Sequence, residues 1–225
     1  MVKRFFVFLV LIIFIYQLLP LITNFKPNTE LKHIANEYVE SGPQKVGASN
    51  LVTSVVVTYR GLDTLGEIAV LFIATTGVGF VLKNKKEKKK TLRPASEILQ
   101  TGTNFLLPLI FLFGIYVFVH GHLTPGGGFQ GGVIITSGIV LLMLSNISFK
   151  LNHMVLNIVE SLSGLSYVIM GILGLVLAAG FLDNGFISLG KFGTLFSAGA
   201  IPIIYSIIGF KVGSELTGIV EKMRK

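Results

Sequence analysis

The sequence lacks cysteine, is poor in charge and shows no strand-like alternation, and each absence removes a class of protein. Without cysteine the chain has no disulfide, no thiolate zinc site and no cysteine-held iron–sulfur cluster. Charged residues make up only 13% of the chain, where a soluble domain carries about 25%. No series of apolar–polar alternations of about ten residues suggests an outer-membrane barrel. No lysine falls deeper in an expected span than its last turn and no histidine lies deeper than a span end. That argues against haem held by paired membrane histidines. No internal repeat with broken helices is evident, which ranks a small stand-alone transporter last among the functional classes.

What is present is hydrophobic. The mean hydropathy is +0.76, and several apolar runs reach the roughly 18 residues that cross a bilayer. The expected fold is an all-α integral membrane protein, multi-pass in the cell membrane, with about six transmembrane helices. The spans are expected from Phe5 to Ile22, Leu62 to Leu82, Gly102 to His120, Gly132 to Ile147, Met154 to Phe181, and Phe192 to Val212. The first follows Lys3 and Arg4 but is too long for a signal-peptide core and has no Ala-x-Ala site after it, so it reads as an uncleaved anchor. A polar loop from Asn24 to Asn50 holds a short amphipathic helix around Leu31 to Val39. A further segment ends at Tyr59, before a break at Arg60-Gly61. Pro202 is expected to kink the last span. The chain divides into a two-span region at 1–82, a basic linker at 83–94 and a four-span domain at 95–225.

The net charge of +8 comes largely from one run, "KNKKEKKKTLR", Lys83 to Arg93. Without an aromatic-studded basic fold around it, the run points to topology rather than to nucleic acid. With both termini cytoplasmic, most bases fall inside, including Lys3, Arg4, Lys150, Lys211, Lys222 and Arg224. Only Lys26, Lys32, Lys45, Arg60 and Lys191 fall outside.

Charges within apolar runs mark functional candidates. Asp63 and Glu67 are four apart and share a helix face with Val70, Ala74 and Gly77, a small-residue stripe suited to packing on protein. They can bind a cation or pass protons, or they can cap the helix N-terminus. Glu160 lies about 9 Å into its span, at the helical rise of 1.5 Å per residue, and is a candidate buried titrating acid. The alternative is an interfacial, snorkelling Glu. Glu215 reads as following the last span.

The stretch "GHLTPGGGFQGG" comprises Gly121, His122, Leu123, Thr124, Pro125, Gly126, Gly127, Gly128, Phe129, Gln130, Gly131 and Gly132. Gly126, Gly128 and Gly131 match G-x-G-x-x-G in form. No strand precedes them, no acid follows at the dinucleotide-binding distance, and no Gly-Lys-Ser/Thr is present. Two histidines around one glycine do not make a zinc site. The stretch is expected to be a structured helix–helix turn that packs against something. Neither a catalytic site nor a metal site is expected, and no cofactor in this chain.

This motif resembles the signature of the MnhB domain, the B-type component of Mrp-type multisubunit sodium/proton antiporters, with a likeness running from about Ala95 to Val220. "VVTYRGLDTLGEIAVLF" is similar to the segment near the C-terminus of the large, A-type component of the same complexes. The chain thus resembles a fusion of that A-type tail with an MnhB domain, an arrangement that fits archaeal complexes in which an Mrp-like module joins a hydrogenase or sulfur-reducing module. The resemblance implies an accessory role in sodium/proton translocation, with Asp63 and Glu67 near a sodium route by motif match. Implied partners are other small membrane subunits, antiporter-like subunits, a redox module and the lipid bilayer. It assigns no isolated activity to the MnhB component. A purely structural adaptor is the competing reading.

Overall fold

A computed structural model describes residues 2–23, 33–83 and 94–224. Most of the basic linker expected at 83–94, and the start of the amphipathic helix expected at Leu31, lie outside the described residues. Among the described residues there is no β-strand.

The chain forms two units, residues 1–36 and 37–225. The first contains α1, Val2–Thr23, which corresponds to the first expected span. Its apolar stretch, Arg4–Pro20, is shorter than the helices long and apolar enough to cross a membrane, of which there are five among the described residues where about six were expected.

The second unit holds five helices long and apolar enough to cross a membrane. The chain reaches them through α2, His33–Glu40, and α3, Gly42–Val46. The short stretch α4, Leu51–Thr53, then widens into a π-helical turn over Ser54–Tyr59. Arg60 leaves helical geometry at φ −120°, ψ 34°, which is the expected break. The five spans are α5 (Gly61–Lys83), α6 (Glu97–Val119), α7 (Gly128–Ser145), α8 (His153–Leu177) and α9 (Ile201–Arg224). Asparagine and serine caps set several starts. Asn50 accepts from the Val52 N–H, Ser96 from Leu99, and Asn152 from Met154 and Val155.

α9 is the hub and packs against α5, α6, α7 and α8. Ile201, Ile204, Ile208 and Val212 recur at helical spacing and are fully buried. Glycines let α7 approach both neighbours closely. A Cβ on Gly131 would stand 2.6 Å from the Gly114 carbonyl oxygen of α6, and one on Gly132 would stand 2.8 Å from that of Gly209 of α9.

The last span differs from expectation in register. It does not run from Phe192 to Val212 but begins at Ile201 and reaches Arg224. Ala198 and Gly199 adopt φ of 65° and 54°, left-handed values that a right-handed helix cannot contain, so the helix starts after them. Pro202 therefore falls at the second helical position, where its missing N–H has no intrahelical acceptor to lose, and it does not kink the span. The shift also moves Lys211 from the last turn of the expected span to the middle of the helix and brings Glu215 into it, against the expectation that Glu215 follows the span.

Candidate functional site

The glycine stretch forms the expected turn. α6 ends at Val119, and α7 opens at Gly128, so Gly131 and Gly132 lie in its first turns. Gly127 caps α7 at φ 152°, ψ 179°, a conformation confined essentially to glycine. What it packs on comes from distant parts of the chain. Asn50 Nδ2 donates to the Gly121 and Thr124 carbonyls at 2.9 and 3.0 Å, and the Asn50 N–H donates to His122 O at 3.0 Å. The Thr53 hydroxyl donates to Gly121 O at 2.6 Å and accepts from the Tyr205 hydroxyl of α9 at 3.0 Å. Buried turn carbonyls need such donors. His122 is fully buried with Nε2 3.4 Å from Thr194 O. Burial pushes its pKa below the usual histidine range, opposed by its backbone contacts. Nearby, Asn184 Nδ2 donates to Val46 O at 2.7 Å and to Ala198 O at 2.9 Å, tying the segment before α9 to the end of α3.

The two acids of α5 have different surroundings. Asp63 is in the first turn of α5 and pairs with Arg60, whose Nη2 is 2.5 Å from Asp63 Oδ2. Glu67 is exposed and makes no hydrogen bond or ion pair among the described residues. Val70, Ala74 and Gly77 are exposed as well, and a Cβ added at Gly66 or Gly77 would meet nothing within 4 Å. The acidic, small-residue face is therefore bare among the described residues.

Glu160 is partly buried and does not stand alone. Lys211 Nζ of α9 lies 3.6 Å from Glu160 Oε1 and 2.6 Å from Glu215 Oε1. The ammonium also sits 5.1 Å from the centre of the Phe72 ring of α5, a cation–π contact. Three helices thus meet at one buried cation. The sequence reading counted Lys211 among the cytoplasmic bases and put Glu215 after the last span, so neither was a site candidate, although the Lys–Glu spacing of four was a visible signal: such a pair offsets its own charge within one helix. At the end of the same α8–α9 seam His153 Nε2 lies 3.1 Å from Glu221 Oε1.

Comparisons with known proteins agree with this anatomy. Residues 98–218, more than half of the chain, match the family described as a domain related to the MnhB subunit of Na+/H+ antiporter. Residues 8–103 match the MbhE family of MBH. A chain in the structure of the membrane-bound sulfane sulfur reductase, an archaeal respiratory membrane complex, is 41% identical. It aligns at a TM-score of 0.81 over 99% of this chain and 98% of its own. An uncharacterized protein of Methanocaldococcus jannaschii is 31% identical over 75% of this chain and 74% of its own. The B-type component of the Na(+)/H(+) antiporter of Bacillus subtilis is 54% identical over 48 residues, which span 21% of this chain and only 34% of that protein. The glycine turn, the four helices around it and the extent of the first match together make this multi-pass membrane chain a member of the family related to the MnhB subunit of Na+/H+ antiporters.

Proposed function

We propose that this chain is an accessory membrane subunit of an Mrp-type sodium/proton-translocating complex. In that reading Glu67, with Asp63 and Glu160, contributes carboxylates to an ion pathway that helices of neighbouring subunits complete. The observation that carries it is the bare acidic face of α5. Glu67 stands in the second turn of a membrane-crossing helix with no hydrogen bond or ion pair among the described residues. An ionised acid facing hydrocarbon costs about 2.5–3.5 kcal/mol at the centre of a span, so this face calls for protein or polar cover. Its small residues suit close approach by another helix. Other small membrane subunits and antiporter-like subunits are the partners this reading requires, with both termini cytoplasmic. The 41% identical chain of a sulfane sulfur reductase complex and the match to the MbhE family of MBH support coupling to a hydrogenase or sulfur-reductase module.

At Asp63 one observation favours the structural reading. Its pairing with Arg60 and its place in the first turn of α5 suit a helix cap. Glu67 has neither feature, so the pathway role falls mainly on it.

The natural absence of cysteine gives a direct test. Ala74→Cys or Gly77→Cys would be the single thiol of the chain. In the intact complex both should resist a lipid-soluble maleimide and cross-link to a neighbouring subunit, while Leu112→Cys on the exposed side of α6 labels freely. Equal labelling at all three positions would contradict the reading.

A further inference from the structure

The Glu160–Lys211–Glu215 cluster holds two carboxylates and one ammonium, so with all three ionised it carries one excess negative charge. Lys211 stands about 15 Å along α9 from its first residue, by the helical rise, and its side chain is 8% exposed. Glu215 is more enclosed still, with a side chain 0% exposed, and neither of its carboxylate oxygens has a hydrogen-bond partner among the described residues beyond the ion pair of Oε1 with Lys211. Uncompensated charge at such a place is costly. One proton removes it.

The surroundings of the two acids differ. α7 contains no titratable residue, and α6 contributes only Glu97 in its first turn and Tyr116 near its other end. α5 presents the Phe72 ring, with Asp63 and Glu67 in its first two turns. α8 contributes Glu160, with His153 and Tyr167 elsewhere along the helix, and α9 itself adds Tyr205, Glu221, Lys222 and Arg224 away from the cluster. Lys211 holds Glu215 at 2.6 Å and Glu160 only at 3.6 Å. Glu160 is also the more accessible acid, with a side chain 26% exposed. Beside it, Gly164 leaves space along the lysine stem: a Cβ there would stand 3.7 Å from Lys211 Cε.

We propose that this cluster is a proton-exchange site in which Glu160 takes up and returns one proton while Lys211 stays charged and keeps Glu215 ionised. A proton from pathway water forms one O–H bond on the Glu160 carboxylate, and the cluster passes from one negative charge to none. On release the same bond breaks, and the flexible lysine stem shares its charge between both acids. The His153–Glu221 pair, about 10 Å from Glu160 along α8 by the helical rise, marks the membrane-surface end of the same seam. The site rests on the pathway reading only for proton access.

The test is pH-induced infrared difference spectroscopy on the intact complex. The carbonyl band of a protonated carboxyl should be present in wild type, lost in Glu160→Gln, displaced in Lys211→Arg and unchanged in Glu67→Gln. A band that survives Glu160→Gln, or that is lost only in Glu215→Gln, would overturn the proposal. If Glu160→Gln does not assemble, Glu160→Asp should displace the band, and an unmoved band overturns it equally. Normal transport by Glu67→Gln with the Glu160 band intact would remove the pathway reading and leave the proton site standing. Loss of transport in Glu67→Gln with no Glu160 band would do the reverse.

Discussion

At the scale of single residues, burial decides what a polar group does. His122 has its pKa held down by burial, so the folded turn keeps it neutral while the unfolded chain accepts a proton more readily. The unfolded state then binds more protons, and stability rises with pH through this window. Its contribution is complete above the ordinary histidine pKa of about 6.5 and is lost as pH falls from there through the lower pKa of the folded state. We expect the thermal midpoint of the purified complex to drop on acidification, and to drop less in His122→Gln. Equal pH dependence of the two would contradict this. Lys211 is governed by the same physics in a drier place. Lys211→Met leaves the buried Glu215 uncompensated and should cost about 3–5 kcal/mol, whereas replacing both by Met should recover most of it. Chemical denaturation of the complexes reads the difference, and additive losses would argue against the pairing. The acids of α5 and α8 were legible in the sequence because charges inside apolar runs stand out. Lys211 was not, because an apolar window starting at Phe192 ends the span beside it. Only the left-handed backbone at Ala198 and Gly199 moves the helix start.

At the scale of elements, the glycine turn acts as a packing device. A Cβ on Gly128 would lie 2.5 Å from Ile208 Cβ and 2.7 Å from Tyr205 O, both on α9. Gly128→Val should therefore cost at least the ~1–3 kcal/mol of core overpacking and lower the yield of assembled complex on a native gel. Unchanged yield would mean that the α7–α9 contact is dispensable. Gly127→Ala should weaken the same junction by backbone strain, through its positive φ. The turn was visible as a motif, and its packing followed from glycine content. Its partners Asn50, Thr53 and Tyr205 were not visible, because local periodicity carries no information about contacts between segments so distant in sequence.

At the scale of the whole molecule, the described residues leave wide apolar and acidic faces uncovered. Large apolar side chains such as Phe105, Leu112, Leu175 and Val176 are exposed on α6 and α8, as lipid- or partner-facing residues would be. The acidic face of α5 is uncovered among the described residues too. Purification of tagged protein in gentle detergent should bring down several small membrane subunits, and a monodisperse single chain that transports by itself would contradict the proposed place in a complex. The central claim is that Glu67 serves ion movement rather than packing. The direct measurement is sodium-dependent proton exchange in vesicles containing the intact complex with Glu67→Gln, which keeps the shape and removes the charge. The account predicts normal assembly with exchange reduced about tenfold or more, the rate equivalent of about 1.4 kcal/mol, and a smaller loss for Asp63→Asn. Wild-type exchange in an assembled Glu67→Gln complex would contradict it.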